Sequence, residues 1–384
     1  MDETTIIPEA RTNRRQLLRA AGVGLSLPFV VPLMTACSID DGGKKQREEA
    51  TREAEREAGQ VGSTGGGPVA QTTPAPSASP PGSTGSDATH HGTGAAVPVP
   101  EGEVTPFQVH DPFLAPVEAG PKDIEVVGIN ANLYVAKDVA YAAWPFDGAV
   151  PGPVHRVVEG DTINVTFKVD PGAIPHSLDF HSAKTPPDVN FRTIAPGEEM
   201  SYSFVPKYPG AYMYHCGTPP ILMHIGAGMY GAMIVDPKEG WPEAQELIMV
   251  QSEFYMQDGA NGIKVPDMNK MMGNGTMDYV AFNGYANQYV ENPIRVRAGE
   301  LIRMFVVNAG PNIWSSFHVV GTIFDTVYVN ANPQNKQVGL QTVSIAPADG
   351  ACVEFVLDEP GEYPFVNHSF GHAAHGAVGI LLAE

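Results

Sequence analysis

From about residue 120 onward the chain is a succession of short runs in which apolar and polar positions alternate or β-branched residues cluster. IEVVGINANLYVA (124–136), DTINVTFKV (161–169), MSYSFV (200–205), AYMYHC (211–216), GAMIV (231–235) and ELIMVQSEFYM (246–256) are the clearest. A period of two sends one set of side chains to a core face and the other to solvent, which marks a half-buried strand. Pro, Gly and Asp punctuate the runs at short intervals, and no long amphipathic helix interrupts them. The pattern predicts an all-β protein of packed antiparallel sheets, with one short helix near 265–275.

The plan occurs twice. GDTINVTFKV (160–169) returns as GELIRMFVVNAG (299–310), and PGEEMSYSFVPKYPGAYMYHC (196–216) returns as PADGACVEFVLDEPGEYPFVNH (347–368). Two tandem copies of one β-sandwich are therefore expected, at 104–240 and 241–384, with DPKEGWPEAQ (236–245) at the join.

The first hundred residues differ in kind. RTNRRQLLRAAGVGLSLPFVVPLMTAC (11–37) places Arg14 and Arg15 before an apolar stretch too short for a stable membrane span. The pattern over 1–36 resembles a twin-arginine export signal, and MTAC resembles a lipoprotein cleavage box that would leave Cys37 lipidated. Simple cleavage nearby is the alternative, since a leucine is usual where Met34 stands. Residues 37–103 read as a tether: a charged segment, then Gly, Ser, Thr, Pro and Ala with almost no large apolar side chain. Such a segment buries too little to offset its ordering entropy. His90 and His91 within it read as incidental. An exported protein at the outer face of a membrane, anchored by lipid, is the expectation.

The formal net charge is −20. Nucleic acid as a partner is excluded by that balance, because phosphate neutralisation needs a basic footprint. Three cysteines, Cys37, Cys216 and Cys352, cannot build a disulfide framework. Cys352, alternating along ACVEFV, reads as a small buried hydrophobe.

Cys216 reads differently. His224 follows eight residues later and Met229 five beyond that, on a loop closing two strands. A thiolate, two imidazoles and a weak thioether form the blue copper donor set, and His176 is the natural second imidazole. His181, His215, His318 and His368 remain. His215 adjoins Cys216, and adjacent strand residues face opposite ways. One could thus serve a copper inside the sandwich and its neighbour a second copper outside, with one peptide bond between them.

HSLDFH (176–181), YHC with its following His and Met, and VNH (366–368) resemble the copper-containing nitrite reductases, over about residues 107–384. The resemblance implies two cupredoxin-like Greek-key domains, assembly as a homotrimer, and two coppers per subunit. His176, Cys216, His224 and Met229 would hold a type 1 copper. His181 and His215, with His368 of a neighbouring subunit, would hold a type 2 copper. Asp179 and His318 would deliver protons to nitrite, and Val320 would shape its pocket. The donor implied is a small cupredoxin or a c-type cytochrome.

Nitrite reduction to nitric oxide consumes one electron and two protons, and imidazole and carboxylate are apt proton donors near neutral pH. Three departures from the family pattern stand out. Ile323 occupies a position where the family usually has His, the Cys-to-His loop is one residue shorter, and the sequence ends at Glu384 without the extension many members use to wrap a neighbour. His372 and His375 are surplus imidazoles near His368, and His110 and Met223 have no evident partner. A non-catalytic electron-transfer protein is the alternative. A multicopper oxidase is disfavoured because the folded part has no His-x-His pair.

Overall fold

The computed structural model describes residues 99–384. The signal, the tether, Cys37, His90 and His91 lie outside the described residues. Among those described, no helix is long and apolar enough to cross a membrane.

Two sandwiches of matching topology dominate. In the first, Lys122–Gly128 runs parallel to Ile163–Val169, which pairs antiparallel with Glu199–Phe204. The opposing sheet has the order His155–Val158, Tyr230–Asp236, Gly210–His215, Asp179–Phe180. In the second, Gln245–Phe254 runs parallel to Leu301–Gly310, which pairs antiparallel with Asp349–Val356. Its opposing sheet runs Ile294–Val296, Val378–Ala383, Gly361–Asn367, Ser315–Val319, Val343–Ile345. The same parallel and antiparallel partners recur in the same order, so the sequence echo is a repeat of fold.

Alternation explains the sheets. In Ile163–Val169 the side chains of Ile163, Val165, Phe167 and Val169 are buried, while Asn164, Thr166 and Lys168 face outward. Phe146, Phe167, Phe180 and Tyr214 fill the first core, and Phe282, Phe317 and Phe365 the second. A third cluster joins Ala211, Met213 and Ile234 of the first sandwich to Ile248, Phe305 and Cys352 of the second. Cys352 is fully buried within it.

Charge also ties the halves. Glu246 accepts from Arg156 of the first sandwich at 2.8 Å and from Arg303 of the second at 2.9 Å. Arg303 is fully buried, pairs with Glu354 and lies 4.8 Å from the Trp241 ring. A buried guanidinium is tolerated only when its donors are matched in this way.

Two expectations change in detail. The run 124–136 is split between two sheets, because the chain bends at Gly128–Asn130 and Ala131–Ala136 pairs instead with Val139–Ala143. The helical segment expected at 265–275 is Lys270–Asn274, since Lys264–Pro266 is drawn into a strand beside Met256–Asp258.

Candidate metal centres

The strand Gly210–His215 delivers two adjacent donors to two places. Cys216, fully buried, turns into the first sandwich, where its Sγ lies 3.3 Å from His224 Nδ1 and 3.9 Å from His176 Nδ1. The two Nδ1 atoms are 3.1 Å apart. His176 enters from the segment ahead of Asp179–Phe180, and His224 from the short helix Ile221–Gly226. Met229, also fully buried, closes the group: its backbone carbonyl accepts the Cys216 N–H at 3.1 Å. Gly128 leaves room for the cluster, since a Cβ there would lie 2.9 Å from Met229 Cε and 3.2 Å from His176 Cδ2.

Electrostatics suit a metal there. Burial, reinforced by neighbouring His224, pushes His176 down to about 3, and burial pushes His224 down to about 4. Both rings are therefore neutral across the ordinary pH range, with nitrogen lone pairs free to coordinate. Burial raises the Cys216 thiol, while donors on Thr218 and Ser177 pull it back. Ser177 N–H points at Sγ from 3.3 Å. The thiolate form thus needs a cation, and copper uptake must release a proton. Sulfur, two imidazoles and a thioether in a dry pocket fit copper.

His215 takes the opposite direction. Its Nε2 is 2.9 Å from His181 Nε2, with the rings at 80°. His215 Nδ1–H donates to the Cys216 carbonyl at 2.9 Å, which fixes the tautomer and leaves Nε2 as a bare lone pair. Partial desolvation and the His215 ring lower His181, against the pull of Asp179 and the Ala348 carbonyl. Ligating atoms of Asp179, His181 and His215 all lie within 4.8 Å of one another. The two nitrogens can share a proton as an N–H···N bond or converge on a metal ion, and with Asp179 they form a donor set that fits a metal.

His318 and His368 form a separate pair on the second sandwich, their ring centroids 5.3 Å apart. His318 Nδ1–H donates to the Gln341 carbonyl. His368 is not part of the Asp179, His181, His215 group within one chain. Val320 is 41% exposed, so core packing does not explain it, and Ile323 is exposed three residues further along. Phe370, also exposed, lies 4.7 Å from the His368 ring, and Trp314 is exposed at the other end of the strand Ser315–Val319 from Val320. Of the surplus histidines, His372 Nδ1 faces Asn367 and His375 Nδ1–H donates to the Asp278 carbonyl. His110 is held through its backbone by Gln288 and Tyr289, and Met223 packs against the first core.

Sequence reading passed over Trp144, whose ring lies 4.9 Å from His224 and 6.1 Å from His176. It also passed over His155. That ring packs against Tyr214 at 5.2 Å and Phe180 at 6.0 Å, and its buried Nε2 has no partner. Burial lowers His155 to about 4. The folded state therefore refuses a proton that the unfolded chain accepts below pH 6.5, and stability falls as the pH drops from 6.5 towards 4. The depression corresponds to roughly 3 kcal/mol. His155→Leu is expected to flatten the fall in stability of copper-free protein between pH 7 and pH 5 by one proton's worth. Urea midpoints at the two pH values test this, and equal slopes in parent and variant would refute it.

Residues 130–240 and 261–384 each match a family described as multicopper oxidase. The chain is 40% identical over 268 residues to the copper-containing nitrite reductase of Neisseria meningitidis serogroup B, a stretch covering 68% of each protein. Among solved structures, the copper nitrite reductase of Nitrosomonas europaea superposes with a TM-score of 0.64 at 36% identity, over 68% of this chain and 94% of that one. A copper-containing nitrite reductase from Thermus scotoductus gives 0.62 at 34% identity, over 70% and 62%. A blue copper oxidase from Nitrosomonas europaea, at 23% identity and 0.58, shares the fold. Given two donor sets back to back on one strand and this extent of identity, the chain belongs to the copper-containing nitrite reductases.

Proposed function

We propose that the protein reduces nitrite to nitric oxide: nitrite, one electron and two protons give nitric oxide and one water. The observation that carries this is the division of labour at residues 215 and 216. Cys216 completes a dry, closed donor set, while His215 completes an open one at the surface. A dry site of fixed geometry suits electron uptake, and an accessible one suits an anion. Copper held by Cys216, His176, His224 and Met229 at one set and by His181 and His215 at the other would supply the one-electron redox chemistry. The short link between the sets is the Cys216 backbone, whose carbonyl also accepts the His215 Nδ1–H bond.

In this reading the open set is His181 and His215, completed by His368 of a neighbouring subunit in a homotrimer. Exposed Phe370 against the His368 ring, and exposed Val320 two residues from His318, support burial of this face against a second copy. Asp179 and His318 then share one pocket and supply the two protons. Gln341 holds the His318 ring by Nδ1 and leaves Nε2 to face the substrate. Val320 limits how the anion approaches. Ile221 and Met272, both exposed, flank the helix that carries His224, directly and through Met271 packed on Gly226. They support docking of a small cupredoxin or c-type cytochrome there. Export by the twin-arginine route and a lipid anchor at Cys37 complete the proposal and place the reaction outside the cytoplasmic membrane.

Asp179→Asn is expected to lower turnover about 100-fold, within the range for losing a positioned acid. The blue absorption should be unchanged, because Asp179 touches no residue of the Cys216 set. His181→Ala should abolish nitric oxide production with the same spectrum. An anaerobic nitric oxide electrode with an artificial donor reads both. Copper-replete parent protein that makes no nitric oxide would overturn the assignment and leave an electron-transfer protein.

A further inference from the structure

The two sandwiches can be superposed residue by residue through their ladders. His215 pairs with Tyr230 at the end of one ladder, and Val366 pairs with Val378 at the end of the other. One residue on, Cys216 N–H donates to the Met229 carbonyl and Asn367 N–H to the Ala377 carbonyl. Asn367 therefore stands where Cys216 stands, and Ala377 where Met229 stands. Asp179 opposite His215 corresponds to His318 opposite Val366, which sets Ser315 in the place of His176. His372 lies five residues before Ala377, as His224 lies five before Met229, and each carbonyl accepts that later residue's N–H.

The contacts match as well as the positions. Ser177 N–H meets Cys216 Sγ at 3.3 Å, and Ser316 N–H meets Asn367 Oδ1 at 3.2 Å. His224 Nδ1 lies 3.3 Å from Sγ, and His372 Nδ1 lies 3.1 Å from Asn367 Nδ2. The second sandwich thus keeps the frame of the first metal set with its ligands replaced. Ser315 Oγ is a trace of that replacement, buried and without a partner where the first sandwich has an imidazole.

We propose that Asn367 does by hydrogen bonding in the second sandwich what metal ligation does in the first, and is the positioning residue for His368. Asn367 is fully buried and saturated. Its Oδ1 accepts from Ser316 N–H and Ser369 N–H, at 3.2 and 3.1 Å. Its two Nδ2–H groups face three acceptors, Gln251 Oε1 at 3.0 Å, the Trp314 carbonyl at 3.1 Å and His372 Nδ1 at 3.1 Å. The two Oδ1 bonds bracket His368: one fixes the residue after it, the other fixes the strand Ser315–Val319 that carries His318. His368 N–H adds a bond to the Ser316 carbonyl at 2.7 Å. The mutual geometry of the His318 and His368 rings is thereby set by one buried amide.

This rests on the assignment of His368 as a copper ligand shared between subunits, and the test separates the two. Asn367→Ala, made in the full trimeric enzyme, is expected to weaken type 2 copper about 10-fold or more, the range for losing a group that orients a ligand. Copper retention on graded dialysis and the type 2 hyperfine splitting in electron paramagnetic resonance read this without nitrite. Blue absorption should persist, and KM for nitrite should rise more than kcat falls. Asn367→Asp keeps both Oδ1 bonds, sets an oxygen against the acceptors that Nδ2 faces, and is expected to hold type 2 copper better than Asn367→Ala and within about 10-fold of the parent. Unaltered affinity and splitting in Asn367→Ala would overturn the proposal. Where that variant does not fold, a loss beyond tenfold in Asn367→Asp would overturn it. A parent that binds type 2 copper but makes no nitric oxide would refute the reductase reading alone.

Discussion

Cys216→Ala is expected to erase the blue absorption completely and to cut nitrite turnover at least 100-fold. Removing an outer-sphere partner of a metal costs roughly 10–100-fold, and Cys216 is the ligand itself. Among the described residues its Sγ is the only sulfur anion available to the closed set, since Met229 offers only a thioether and Cys352 lies in another cluster. Ser177 N–H would lose its acceptor and the pocket its anion, leaving two neutral imidazoles that bind copper weakly and without colour. His215 keeps its Nδ1–H bond in this variant, because its acceptor is the backbone carbonyl of residue 216 rather than the side chain. The open set therefore stays loaded. The expected signature is a colourless protein with full type 2 resonance and little nitric oxide from a protein donor. A surviving blue band, or turnover within tenfold of the parent, would show that electrons do not enter beside Cys216.

That signature could be anticipated from sequence because local spacing carried it. Cys, then His, then Met on one loop is a short-range pattern, and strand alternation alone separates residues 215 and 216. The repeat was legible for the same reason: turn residues and core residues recur in order. What escaped is set by contacts across long separations. Trp144 meets the two imidazoles from a strand end far along the chain, and His155 packs behind Phe180 and Tyr214 with no motif of its own. Register escaped too. YHC and VNH look like the same ending, yet the ladders put Val366 opposite His318 where His215 lies opposite Asp179. His368 follows the position equivalent to Cys216, and Asn367 occupies it. A one-residue offset is invisible to pattern matching and decides which side chain enters the core.

Within a single chain His181 and His215 sit on one sandwich and His368 on the other, outside their group. The proposed sharing of the open site between subunits of a trimer makes a quantitative prediction. His181→Ala chains and His368→Ala chains should each be inactive as pure trimers. In mixed trimers an interface is intact when a chain with sound His181 meets a chain with sound His368 in the correct rotational sense. Random equal mixing makes about one quarter of the interfaces intact in a closed cyclic assembly. Turnover should therefore rise from background to about a quarter of the parent rate. Blue absorption should not change, since His176, Cys216, His224 and Met229 come from one chain. Differently tagged chains refolded together and assayed with a nitric oxide electrode provide the measurement. Mixed trimers confirmed by both tags but still inactive would place His368 outside the site and require a ligand from the same chain.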